Sequence, residues 1–425
     1  MTTSAGVRVK NLGGTPISRL RLAVCLFLCL YLVPPGTVAA QEPVPVTREA
    51  AVEAALTRGP LLGVARADTA LAAAQLRAAG AFPNPALSAS YSKSTPRYHL
   101  LLDVPLDYFW LRGNRVGAAK AARSSAQYRF QFDRASVAFD ADTTYTVAVA
   151  AHRRALISRQ NAVAADSLRR MAELRRDAGD ASDLDVELAA LNAGQQANAA
   201  AVDSLAFDSA LLDLQVAMGI PADRVSVKVE DSLPLPARVN DPPRTGTPLP
   251  VASAEASLRS AELATRAQRR SLFSPFSITA GIETGDPSGS EPGVLPTVGL
   301  SIPLPFFNQN HGPVAQAKAE QERARAELVL ARIQAAARVA RAVRENDLAR
   351  AKVERGQRLL EAADRVARMS LTAYHEGAVP LVSVLEAQRN AREVRAQVVS
   401  DLAQAWIASA ALRLFTLSVS PEPAR

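Results

Sequence analysis

Cysteine is nearly missing from this chain of 425 residues: the two present, Cys25 and Cys29, both fall within the first 40. The remainder can build neither a disulfide framework nor a thiolate metal site. Histidine is almost as scarce. Among His99, His152, His311 and His375 no two share a helical face at metal-ligand spacing, so no metal site is expected within one chain. No Gly-rich phosphate loop follows a strand, and the many Ser and Asp residues lack a partnered base. No catalytic or cofactor-binding constellation emerges, so an enzyme is not expected. Aromatic residues make up only 5% of the chain. Beyond residue 40 no apolar run reaches the roughly twenty residues that a helical membrane span needs.

The first 40 residues stand apart. Arg8, Lys10, Arg19 and Arg21 precede the apolar run Leu22 to Val33, and Val38-Ala39-Ala40 offers small residues for cleavage. This pattern predicts a secretory signal peptide over 1–40, cleaved near Ala40. Neither cysteine has the setting that lipid attachment requires, so an unlipidated mature N-terminus is expected. The formal charge of +8 falls to 8 − 4 = +4 once those four basic residues are removed. What remains is interleaved, as in Glu320-Gln321-Glu322-Arg323-Ala324-Arg325, which is a solvated helix face and no phosphate-binding stripe. Nucleic acid is not an expected partner.

What is present is a duplication. Val104-Pro105-Leu106 is answered 198 residues later by Ile302-Pro303-Leu304, Tyr108-Phe109 by Phe306-Phe307, Ala119-Lys120-Ala121 by Ala317-Lys318-Ala319, and Gly179 by Gly377. A constant offset means two repeats of fixed length, and such repeats outrank any single motif. The chain divides into a first repeat over 41–232, a Pro-rich linker over 233–250, a second repeat over 251–419 and a tail over 420–425.

Each repeat opens with a helical stretch, from Thr47 to Gly80 in the first. Residues then alternate with a period of two, predicting strands at about 86–92, 98–106, 276–283 and 297–304. Tyr98, Leu100, Leu102, Val104 and Leu106 face one way; His99, Leu101 and Asp103 face the other. Alternation alone does not choose between water and lipid. The aromatics help: Phe82, Tyr108, Phe109, Trp110, Phe273, Phe276, Phe306 and Phe307 gather where helix meets strand, as rings do at headgroup level in membrane barrels. Long Ala-rich helices follow, at about 114–176 and 313–375, each roughly 90 Å at 1.5 Å per residue. Both stop at a Gly, as a helical C-terminus favours, and returning helices complete two helical hairpins. The carboxylates Asp180, Asp183, Asp185 and Glu187 at the first turn suit a helix N-terminus or a gated entrance equally.

Four strands cannot close a membrane barrel, and open sheet edges are costly in lipid. Strands that meet lipid must therefore be pooled between chains, and three copies give twelve strands above twelve helices. The expected fold is mainly α with a small β part, in two tandem helix–strand–strand–long helix–helix repeats. As a homotrimer it closes a 12-stranded β-barrel continued by a 12-helix α-barrel.

This order, repeated twice from Thr47 to Leu417, resembles the TolC-like outer membrane efflux factors. The run Ser301 to Gly312 (SIPLPFFNQNHG) resembles the CzcC-like branch, which serves heavy-metal cation pumps. The resemblance implies a passive duct, a homotrimer with its 12-stranded β-barrel in the outer membrane and its 12-helix α-barrel in the periplasm. It would receive cargo from an inner-membrane pump of the RND type through a periplasmic adaptor, with outer-membrane lipid around the barrel. It also places the periplasmic entrance at Gly179, Asp185, Tyr374, Gly377, Ser383 and Glu386. In the best-known members a Tyr before the second Gly bonds an Asp after the first; the matching positions are Tyr374 and Asp185. Glu386 fits one of two acidic constriction positions, whereas the other is Ser383 and a basic residue is replaced by Val379, departures that weaken the expected lock. Two alternatives stay open on the residues: a type I secretion duct, and a soluble periplasmic coiled-coil scaffold.

Overall fold

The computed structural model describes residues 43–106, 109–230, 232–237, 246–271, 276–285, 293–302 and 304–419. The expected signal peptide and its cleavage point, Tyr108, Phe273 and the tail lie outside the described residues. Contacts divide the chain into Met1–Val44 and Pro45–Arg425, and the fold is that of the second unit.

Thr47 caps α1 (Arg48–Arg58) by accepting from the Ala50 backbone N–H. The chain then breaks and restarts as α2 (Pro60–Gly80), so the single helix expected over 47–80 is two. The break is steric. A Cβ at Gly59 would sit 2.2 Å from the Ala55 carbonyl oxygen, and Pro60 suits a first helical position because it has no N–H to satisfy. The strands β2 (Ala86–Tyr91) and β3 (Tyr98–Leu106) lead into α3 (Phe109–Asp177), which spans 69 residues. It starts about five residues before the expected boundary, because Gly113 and Asn114 are absorbed into the helix.

After the return helix α4 (Asp183–Ala217), the second repeat supplies α5 (Leu249–Arg270), β6 (Phe276–Thr284), β7 (Leu295–Ser301), α6 (His311–His375) and α7 (Leu381–Phe415). Between Gln268, Ser271 and α6, Asn310 adopts φ 60° and donates its side-chain amide to the Gln268 carbonyl and the Ser271 hydroxyl. An amide side chain is among the few that tolerate this backbone and also hydrogen-bond locally. Four short strands escaped the sequence reading: β1 (Val44–Val46), β4 (Val227–Val229), β5 (Thr247–Pro248) and β8 (Ser418–Val419).

β2, β3, β6 and β7 form one antiparallel sheet in that order, with β3 and β6 joining the two repeats. Register aligns Leu87, Leu102 and Ala280, and likewise Val104, Ile278 and Leu300, on one face. Nothing among the described residues covers that face, and Val298 is 80% exposed. The opposite face carries Ser88, Asp103, Thr279, Thr297 and a contact of His99 Nδ1 with the Glu283 carboxylate at 3.3 Å.

The main core lies midway along the helices, where β1, β4 and α1 wrap α3, α4 and α7 around Tyr145, Val149, Leu211 and Leu214. Gln215 is fully buried there. Its amide donates to the Pro221 and Arg224 carbonyls and its oxygen accepts from Ser226 N–H, so one side chain holds the loop after α4. Arg48 pairs with Asp142, which also receives Arg413 at 2.9 Å, and its guanidinium lies 4.0 Å from the Trp406 ring centre. The start of the Pro-rich segment is strapped down: Leu233 is buried, Trp406 donates to the Pro234 carbonyl, and Arg350 to that of Pro236. Among the described residues one helix, α7, is long and apolar enough to pass for a membrane span, but 56% of its most apolar stretch is buried within the fold. It is a core helix here.

Candidate functional site

The two helical hairpins end together. At the first, Gly179 (φ 84°) follows α3; its N–H donates to the Arg176 carbonyl, and Asp180 N–H donates to that of Arg175. At the second, Gly377 (φ 74°) follows α6 with the same pair of bonds, to Tyr374 and Ala373. Both are helix stops of the kind that needs a left-handed residue, and Gly carries no Cβ penalty there. The ends are bound to one another through a cluster of Leu168, Ala172, Val186, Ala189, Tyr374, Leu381 and Val384.

Tyr374 sits inside this cluster, 4% exposed. Arg175 reaches across from the first hairpin, donating to the Tyr374 carbonyl at 2.6 Å and placing its guanidinium 4.7 Å from the ring centre. Among the described residues the Tyr374 hydroxyl has no hydrogen-bond partner. Burial holds its pKa above the ordinary tyrosine value; the charge of Asp185 adds to this and Arg175 opposes it. Asp185 is spoken for: its carboxylate accepts from Ser182 N–H and hydroxyl, while Ser182 caps the Asp185 N–H. This reciprocal capping box starts α4. The bond from Tyr374 to Asp185 that the resemblance implied is therefore absent, and Arg175 links the hairpins instead. Gly179, Gly377, Ser383 and Glu386 are exposed at the same end. Arg175 was missed because an arginine in the last turn of a helix reads as ordinary dipole complement.

At the other end, Phe82, Phe306 and Phe307 are exposed beside the sheet, Phe307 completely, and Arg112 lies 4.5 Å from the centre of the Phe82 ring. Phe276 opens β6 half-buried, and Phe109 and Trp110 fall in the first turn of α3. Sequence reasoning overlooked a counterpart. Tyr91 and Tyr98 pair across β2 and β3 at the far end of the sheet, with ring centres 5.4 Å apart and both exposed. Their signal was there, as an aromatic on each side of the Lys93–Arg97 turn. The nine residues of β3 separate the two aromatic levels; at ~3.3 Å per residue and ~40° tilt that is about 23 Å, close to the apolar band of a membrane barrel.

Residues 249–416 match the outer membrane efflux protein family. The pyoverdine export outer membrane protein OpmQ of Pseudomonas aeruginosa is 28% identical over 304 residues, covering 66% of this chain and 61% of its own length. The fold aligns with the outer membrane protein VceC of Vibrio cholerae at a TM-score of 0.76, with 18% identity over 87% of this chain and 95% of that one. The CmeC outer membrane channel of Campylobacter jejuni gives 0.74, with 16% identity over 87% and 85%. Over residues 249–416 the chain matches that family, and its fold is that of the solved outer-membrane channels. Members of the family are channels and not enzymes. The chain spans about 61% of the length of OpmQ, and the structural neighbours named here, both below 25% identity, establish the fold alone.

Proposed function

We propose that the chain is the outer-membrane duct of a tripartite efflux system, assembled as a homotrimer that carries cargo passively from an inner-membrane pump and a periplasmic adaptor to the outside. The carrying observation is the sheet. Its four strands expose an unbroken apolar face and leave both β2 and β7 with an open edge. In hydrocarbon each unpaired backbone group costs several kcal/mol, so β7 of one copy must find β2 of the next. Three copies give 3 × 4 = 12 strands, closed, with the polar face of Asp103, Thr279 and Glu283 turned inward. The helical hairpins then continue the wall into the periplasm, and the two Gly turns form the entrance at which the adaptor docks.

The cargo class follows from the pump more than from this wall. The Ser301 to Gly312 run favours heavy-metal cations, whereas the OpmQ relative is named for pyoverdine export. An RND-type pump fits either cargo. Reconstitution tests the reading: protein extracted from outer membranes should require detergent, migrate as a trimer and open discrete channels in a planar bilayer. A stable, detergent-free monomer in the periplasmic fraction would refute it.

A further inference from the structure

We infer that His99 and Glu283 form a binding site for a divalent transition-metal cation, one site in each chain, on the polar face of the sheet. The pair is complete within a single chain; that it faces the passage of a duct rests on the reading above. Spacing along the sequence conceals it, because 283 − 99 = 184 residues separate the two. Only the pairing of β3 with β6, which joins the repeats, sets them directly opposite one another. The same row continues to Ser90 on β2 and Leu295 on β7.

The geometry is that of two donors aimed at one point. His99 Nδ1 lies 3.3 Å from a Glu283 carboxylate oxygen, whereas a charge-assisted hydrogen bond between such groups closes to about 2.7–2.9 Å. At metal–nitrogen and metal–oxygen distances of about 2.0–2.2 Å, donors so spaced subtend roughly 105° at a shared ion, close to the tetrahedral angle. Neither side chain has another hydrogen-bond or ion-pair partner among the described residues. Each keeps part of its surface open, 22% for His99 and 24% for Glu283, which leaves room for water to complete the coordination shell.

The donor set selects the ligand. An imidazole nitrogen with one carboxylate oxygen suits zinc, copper or nickel, whereas magnesium and calcium take oxygen donors. Charge favours cations too. β2, β3, β6 and β7 contain neither Lys nor Arg, and their only carboxylates, Asp103 and Glu283, lie on the polar face. A passage lined by one sign of charge concentrates the opposite ion. Two protein ligands make a loose site, since structural zinc sites use four and catalytic ones three. Looseness suits the wall of a conduit, where an ion must bind well enough to enter and weakly enough to leave.

Zinc chloride titrated calorimetrically into detergent-extracted protein, purified without a histidine tag, should bind at one ion per chain through this pair. His99→Gln and Glu283→Gln should each weaken that binding by at least about tenfold, since loss of even an outer-shell partner costs about that much. Glu283→His, which offers a second imidazole, should retain it, and His311→Gln should leave it unchanged. Unaltered binding in both Gln variants overturns the site, as does magnesium chloride binding equally well there. In planar bilayers, zinc in the bath should lower the conductance of the wild type and spare His99→Gln, while magnesium at the same concentration should block neither. Channels that bind zinc through His99 yet conduct unchanged overturn its place on the passage wall. Protein that opens no channel at all overturns the duct reading, and the titration then still decides the site.

Discussion

The two tips of the molecule are the same backbone carrying different side chains. Both end a long helix with a left-handed Gly and the same pair of backbone bonds. The first begins its return helix with a reciprocal Ser182–Asp185 box, whereas the second begins at Pro380 with no side-chain cap. The first supplies a cation, Arg175, and the second the aromatic ring it rests on. Duplication has preserved what the backbone requires and let the side chains diverge: Ala373 stands where the first tip has Arg175, and Arg176 where the second has Tyr374.

Four changes sharpen this comparison, beginning at the sheet, where the two hairpins also share a backbone. Leu300→Arg on the apolar face should cost about 2–4 kcal/mol near midplane and sharply reduce assembled trimer, while Thr297→Arg on the polar face should assemble normally; equal damage from both would reverse the assigned facing. Gly179→Ala and Gly377→Ala should each cost about 1–2 kcal/mol in thermal unfolding, because both need a left-handed backbone and neither is crowded. A large difference between them would deny that the tips are backbone equivalents. Asp185→Ala should cost about 1 kcal/mol by removing the box, and Ser383→Ala, the corresponding change at the uncapped second tip, close to nothing.

The smallest effect belongs to Tyr374→Phe. It deletes a hydroxyl that has no partner, so stability at neutral pH should hold or rise slightly. Its pKa is raised by burial, so the folded state binds the phenolic proton more tightly than the unfolded chain. The contribution is whole below pH about 10 and is lost as pH rises through the higher folded-state value. Alkaline melting curves should therefore fall less steeply for the Phe variant. Bilayer conductance gives a parallel readout: Arg175→Ala should raise it if the link between hairpins restrains the entrance, and unchanged conductance would sink that role for Arg175.

Much of this architecture is legible before any coordinates. Alternation of two in Phe276 to Glu283 needs only the pleat, and a fixed offset between Gly179 and Gly377 needs only subtraction. The parts that were not legible have physical causes. β5 and β8 have two residues each, too few to display a period. The break at Gly59 hides because apolar spacing continues on both sides of it. Pairing of β3 with β6 joins residues as far apart in the chain as Leu106 and Phe276 or Tyr98 and Thr284, which local pattern does not reach. Asp185 has a choice between Ser182, three residues away, and Tyr374 in the other repeat, and the local partner holds it.

The equal length of the two hairpins has a further consequence. Arg175 meets Tyr374 only because α3 and α6 bring their last turns to the same height. Inserting one turn into α6 alone would displace its end by about 5.4 Å, carrying the ring out of the guanidinium's reach and leaving one lip of the mouth protruding. Each long helix thus serves as the gauge for the other, and any lengthening of this protein must be made twice.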